Sequence, residues 1–346
     1  MNSRPAQNRR VSNYYRILPW LGLPMGAGAL YWVLRGLDPA RLAAVISTAA
    51  VFPLLLLPLS VLLEQWLRAV KWRLLLASTK RIGSLRLLGA IMAGFLGNIL
   101  APVGVSPFVR GWLIARLEKL PFSHLMATVV VDRLTDAVAF LLFGLAALAA
   151  YGFPETMESV RVGFFWAMMT NLALISTLTA ILAGWKAYAR RPPGKTPMAL
   201  QWIPGRVYRP LARFTRSFLE GVRLPGGLPA LLVIAGASIL MKLIALGYFV
   251  LAGMAFNVSL APLDYLVLMV FLGFLNFFAT SLKIVGGFTA GAIFALESFG
   301  VEVETALVMT LAVLGATQLT VIVAGSAALW VQGTTLAGLK SHSEAP

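Results

Sequence analysis

Six ionisable side chains lie inside otherwise apolar runs: the cations Arg110, Arg133, Lys242 and Lys283, and the carboxylates Asp132 and Asp136. Each costs roughly 2.5 to 3.5 kcal/mol at the centre of a membrane helix if it faces lipid, so all six must turn inward and find partners. Asp132 and Asp136 are four residues apart and share one helix face. Arg110 and Lys283 each sit where glycine or proline breaks an apolar stretch, so nearby backbone groups are released from helical bonding. Four cations against two carboxylates leave a positive surplus, which suits an anionic headgroup such as a phosphate, with Asp132 and Asp136 holding the arginines or relaying protons. The same charges could equally form an ion-pair network that only locks helices together. A further pair, Glu64 and Arg68, is spaced i, i+4 where the second span reaches the cytoplasm and reads as a structural surface pair.

The elements that must carry these residues follow from composition. Of 346 residues, 59% are hydrophobic and 12% charged, and the mean hydropathy is +0.83. A soluble domain has about twice that share of charge, so the sequence is that of an integral membrane protein. Runs long enough to cross a bilayer are 17–34, 43–63, 122–150, 164–184, 230–256 and 305–331. Two further apolar regions, 87–117 and 265–295, are broken near the middle and read as helical hairpins that enter and leave on one side. The expected fold is an all-α polytopic membrane protein: a single transmembrane domain over 1–346 with about six full transmembrane helices plus two broken helical hairpins.

Net charge is +16, and its distribution gives orientation. Lys and Arg accumulate in short cytoplasmic loops, and 22 of the 29 fall on one face, in the 1–16 tail, the connection from Arg68 to Arg86, Arg116 and Lys119, the 186–223 loop and the 334–346 tail. The opposite face holds Arg35, Arg41 and Arg161 with Asp38, Glu155, Glu158, Asp264, Glu297, Glu302 and Glu304. Both termini are therefore expected in the cytoplasm of a bacterial cell, with the protein multi-pass in the inner membrane. Within the 186–223 loop, Arg209, Arg213 and Arg216 alternate with Leu211, Phe214 and Phe218 as in an interfacial helix on anionic lipid. This distribution leaves no basic groove for nucleic acid. There is no cysteine and there are two histidines, His124 and His342, so neither a metal site nor a cofactor is expected. No nucleotide-binding or hydrolase motif occurs, which argues against an enzyme.

The hairpins resemble each other faintly. Gly94-Phe-Leu-Gly-Asn98 precedes Pro102-Val-Gly104 and Pro107 in the first; Gly273-Phe-Leu-Asn276 precedes Ile284-Val-Gly286-Gly287 in the second. Broken segments at matching places in oppositely oriented halves are the pattern of an inverted repeat in an alternating-access transporter. Asn98 and Asn276 would satisfy freed backbone or touch a headgroup.

The run from Asn98 and Pro102 to Arg110, followed by Asp132-Arg133-Leu-Thr-Asp136, resembles the signature of the lysylphosphatidylglycerol synthase transmembrane family, the flippase-like domain proteins. Arg110 matches that family's first-hairpin arginine, Arg133 and Asp136 match its Glu-Arg-x-x-Asp motif, and Asp132 replaces the Glu. Arg68-Ala-Val-Lys71-Trp-Arg-Leu-Leu-Leu76 looks like its Trp-Arg-x-Leu-Leu segment, and Val285-Gly286-Gly287-Phe-Thr289 like its Pro-Gly-Gly-x-Gly turn. Pro107 and Ala292 stand where the family has acidic residues. The resemblance implies a lipid flippase or transporter with a membrane lipid as substrate, anionic or of the polyisoprenoid type. The alternative is a non-translocating subunit or enzyme of membrane-lipid or lipid-linked glycan biosynthesis, with a lipid-biosynthesis enzyme as partner.

Overall fold

The computed structural model describes residues 31, 35–100, 104–189, 214, 217–219, 221, 222, 227–282 and 286–331. All of the expected first span 17–34 except Tyr31, most of the 186–223 loop, both tails, Pro102 and Lys283 lie outside the described residues. Ten α-helices are described: α1 (Pro39–Ser47), α2 (Val51–Leu76), α3 (Ser84–Leu100), α4 (Ser106–Glu118), α5 (Phe122–Ala150), α6 (Glu158–Ala189), α7 (Leu228–Ala255), α8 (Pro262–Leu282), α9 (Gly287–Ser298) and α10 (Val303–Val331). There is no strand among the described residues. Five helices, α2, α5, α6, α7 and α10, are long and apolar enough to cross a membrane. Their outer faces carry large apolar side chains such as Leu55, Leu59, Leu142, Phe165, Leu232 and Val323, a belt that only lipid would cover on this scale.

One boundary differs from the sequence reading in a way that matters. The expected span 43–63 is divided between α1 and α2, and α2 runs thirteen residues beyond Leu63. Its buried stripe is Leu57, Val61, Gln65, Arg68, Lys71, Trp72 and Leu75, the spacing of one helical face. Arg68 and Lys71 are therefore interior residues and not part of the expected connection.

The broken regions are hairpins, α3–α4 and α8–α9. At 1.5 Å per residue, the 13-residue α4 reaches about 20 Å and the 12-residue α9 about 18 Å, short of a hydrocarbon core about 30 Å thick. Each hairpin straddles the same two spans: α4 packs on α5 and α3 on α10, whereas α8 packs on α5 and α9 on α10. The chain order of the arms is thus reversed between hairpins. The resembling glycines, however, are not equivalent. Gly94 lets α3 approach its own partner, since a Cβ there would lie 2.9 Å from the Ser106 carbonyl oxygen, while Gly273 makes room for Phe140 of α5. Gly286 opens α9 at φ 82°, a left-handed conformation that glycine adopts without strain.

Connections define two ends of the bundle. At one, the Ala50 N–H donates to the Ala255 carbonyl (2.8 Å), the Asp38 N–H to Glu304 Oε1 (3.3 Å), and Tyr151 meets Phe299 edge to face. At the other, Lys80 Nζ lies 2.7 Å from Glu118 Oε2 and Arg86 pairs with the same carboxylate, tying the start of the first hairpin to its finish. Among the described residues, Asp38, Glu155, Glu158, Asp264, Glu297, Glu302 and Glu304 lie on the elements and turns of the first end, and Lys80, Arg81, Arg86, Arg116 and Lys119 on those of the second.

Two measurements follow. A Cβ at Gly325 would lie 2.8 Å from the Met92 carbonyl oxygen, where α10 meets α3, whereas one at Gly315 meets nothing within 4 Å. Gly325→Ala is expected to destabilise by about 1–3 kcal/mol and Gly315→Ala to be neutral or stabilising by up to about 1 kcal/mol, as read from thermal unfolding in detergent. Hydrogen bonds from Lys80 and then Arg86 hold the Glu118 carboxyl below its usual range, so its contribution is present at neutral pH and lost as pH falls through that lowered value. The melting-temperature gap between wild type and Glu118→Gln should therefore close below about pH 4.

Candidate functional site

The interior charges meet where α2, α4, α5 and α7 face one another. Asp132, fully buried on α5, is shared by Lys71 Nζ (2.8 Å to Oδ1) and Arg110 (2.9 Å to Oδ2). Asp136, one turn further, pairs with Lys71 through Oδ1 and with Arg68 through Oδ2 at 3.4 Å. Arg68 also donates to Glu64 Oε1 at 3.0 Å, and the Tyr248 hydroxyl of α7 donates to the other oxygen of that carboxylate. Lys71 Nζ has further oxygens at 3.2 Å: the Asp132 carbonyl, Thr135 Oγ1 and Ser238 Oγ. The result is a chain of alternating sign, Glu64, Arg68, Asp136, Lys71, Asp132, Arg110, drawn from three helices. Its three cations and three carboxylates balance, so the network is neutral rather than net positive.

Local structure explains why each group is where it is. Glu64, Arg68 and Lys71 are spaced i, i+4, i+7 and stand in one column of α2. Asp132 and Asp136 do the same on α5, while Arg133 points about 100° away and is exposed. Arg110 is set by the hairpin. The α4 helix starts at Ser106, whose N–H donates to Asn98 Oδ1 at 2.7 Å, so Asn98 clips the two arms together across the break. Pro107 falls in the first turn, where its missing N–H costs nothing. The Arg110 guanidinium then lies 5.1 Å from the Trp72 ring centroid, and Trp72 is fixed by donating to Thr128 Oγ1 at 2.9 Å.

The structure thus brings together Arg110, Asp132 and Asp136 as the sequence expects. Lys242 sits beside them on α7, half-buried, with Nζ 5.7 Å from the Phe140 ring centroid and no ion pair among the described residues. Arg133 does not join the cluster. Asn98 serves the backbone, Asn276 is exposed near the end of α8, Gly104 is exposed in the first break, and Gly286 and Gly287 begin α9. The residues missed by the sequence reading are Arg68, Lys71, Glu64, Ser238 and Tyr248. The signal for the first three was their common helical face, followed by a second apolar run, Leu74–Leu76.

Removing one partner of a buried pair leaves the other charge uncompensated, at a cost of about 3–5 kcal/mol. Asp132→Asn strands Arg110 and removes one of the two carboxylates on Lys71 and is expected to lose stability on that scale, whereas Arg161→Gln, in an exposed i,i+3 pair, should change it by less than about 1 kcal/mol. A double-mutant cycle between Lys71→Met and Asp132→Asn, read from unfolding in detergent, should give a coupling energy above about 1 kcal/mol.

Among the described residues no cluster of His, Cys, Asp or Glu is arranged to hold a metal ion. Comparison with known proteins bears on identity. No curated protein and no solved structure matches the chain. The family model described as the lysylphosphatidylglycerol synthase TM region matches residues 20–325, from before α1 into the last turns of α10. With that extent of match, the chain belongs to the family of the lysylphosphatidylglycerol synthase TM region, multi-pass membrane proteins whose description points to action on lipids.

Proposed function

We propose that this protein moves a lipid with an anionic headgroup, a phospholipid or a polyisoprenoid-type lipid phosphate, between the leaflets of a bacterial inner membrane without covalent chemistry. One observation carries the reading: Arg68, Lys71 and Arg110, from a full span and a broken hairpin, converge on two carboxylates inside a lipid-facing bundle. A phosphate is the ligand best able to compete with carboxylate for such groups, because it offers more acceptor oxygens to the same donors. A headgroup that displaces Asp132 from Arg110 would loosen the first hairpin from α5, and this coupling of occupancy to motion is what an alternating-access transporter needs. Lys242, beside the cluster, supplies positive charge that the neutral network lacks. In this reading the cation-rich end faces the cytoplasm with both termini, and the basic 186–223 loop rests on anionic lipid there.

The test uses liposomes of phosphatidylcholine and phosphatidylglycerol containing a fluorescent phosphatidylglycerol whose outer-leaflet fraction is bleached by dithionite. Wild type should expose the inner-leaflet probe, and Arg110→Ala should slow that exposure about tenfold or more, the scale of a lost charge-assisted hydrogen bond. Arg161→Ala, at the opposite end where Arg161 pairs with Glu158, should match wild type. Exchange no faster than in protein-free liposomes, or equal in wild type and Arg110→Ala, overturns the proposal. Chemical conversion of the lipid without exchange would instead favour an enzyme or enzyme subunit.

A further inference from the structure

The three carboxylates of the network are not held alike. Asp132 and Asp136 are each shared by two cations, whereas Glu64 has one, Arg68, and its second oxygen accepts from the neutral Tyr248 hydroxyl. Glu64 is also the least enclosed, its side chain 13% exposed against 0% for Asp132 and 9% for Asp136. A proton on Asp132 would leave Arg110 without a carboxylate and one on Asp136 would break two ion pairs, whereas one on Glu64 breaks only its pair with Arg68, which Asp136 still holds. Loss of the Glu64 charge therefore breaks the fewest ion pairs in this network.

Among the described residues these charged groups surround it, with Arg110 of α4 reaching the same network through Asp132. On its own helix these are Arg68 and Lys71; from α7, Tyr248 donates to it and Lys242 lies within its electrostatic reach; from α5 come Asp132 and Asp136, with Arg133 turned outward. The neighbouring α3 and α10 carry one charged residue each, Arg86 and Glu304, engaged with Glu118 and the Asp38 N–H at the two ends of the bundle.

We infer that Glu64 couples lipid movement to a proton: protonation of its carboxylate frees the Arg68 nitrogen it holds for an anionic headgroup, while Asp136 keeps the other, so that one proton and one anionic lipid are bound and carried together. The inference rests on the transport reading and deepens it by naming the coupling ion. The step involves no redox change; a proton passes from water to a Glu64 oxygen, the Glu64–Arg68 ion pair opens, and the neutral network becomes singly positive as the phosphate arrives. Proton and anion then favour each other's binding by the same factor.

Two readouts separate this inference from the reading beneath it. In proteoliposomes with a pH gradient, wild type should accumulate fluorescent phosphatidylglycerol in the leaflet facing the less acid compartment, beyond the redistribution seen in protein-free liposomes. Glu64→Gln, which keeps an acceptor for Tyr248, should exchange lipid without that accumulation. Exchange by wild type that ignores the gradient, or equal accumulation by both proteins, overturns the proton coupling and leaves transport standing. The second readout needs no transport. Adding phosphatidylglycerol to detergent-solubilised protein in weakly buffered solution should take up about one proton per lipid bound in wild type and none in Glu64→Gln. Lipid binding with no proton uptake by wild type, or equal uptake by wild type and Glu64→Gln, refutes the role of Glu64.

Discussion

Charge is intolerable in hydrocarbon unless it is closed on itself, and the interior of this protein is organised by that requirement. Three cations and three carboxylates from α2, α4 and α5 form an unbroken chain, with Ser238 and Tyr248 of α7 bonding to its members. No helix in that group can be placed independently of the others, because shifting any one would uncover a charge. The short hairpin arm α4, which cannot cross a bilayer, is fastened through Arg110 to the middle of α5. The apolar packing around it, with Trp72, Leu113, Leu125 and Val129 in one core cluster, then only has to fill space.

Much of this was legible in the sequence, and the failures are physically informative. The α5 limits follow from an apolar run between Pro121 and Tyr151, and the interrupted stretches gave hairpins because glycine and proline sit where α3 and α8 stop or α4 and α9 begin. The α2 boundary failed because an apolar run ends by definition at its first charge, here Glu64. Whether a helix continues past that charge depends on partners more than sixty residues away, on α5 and α7. Counting cations by loop inherited the same error and turned Arg68 and Lys71 into topology signals. Asp132 and Asp136 are buried, as the apolar residues on both sides of them imply, and Arg133, adjacent in sequence, falls outside the cluster by the 100° step of the helix.

The faint likeness between the hairpins survives as arrangement more than as chemistry. Both arms of each hairpin find α5 and α10, in reversed order. Yet ion pairs surround the first, while the second is packed in an apolar cluster of Leu268, Leu272, Ile293, Leu296 and Met309. Among the described residues, the buried ion pairs lie with the first hairpin.

The clip between Asn98 and the Ser106 N–H has a mechanical meaning when set beside the ties from Glu118 to Lys80 and Arg86. The first hairpin is stapled at its tip and laced at its base, so its two arms cannot splay. Any motion it makes is a tilt or slide of the whole unit, and one against α5 requires the Arg110–Asp132 pair to open first.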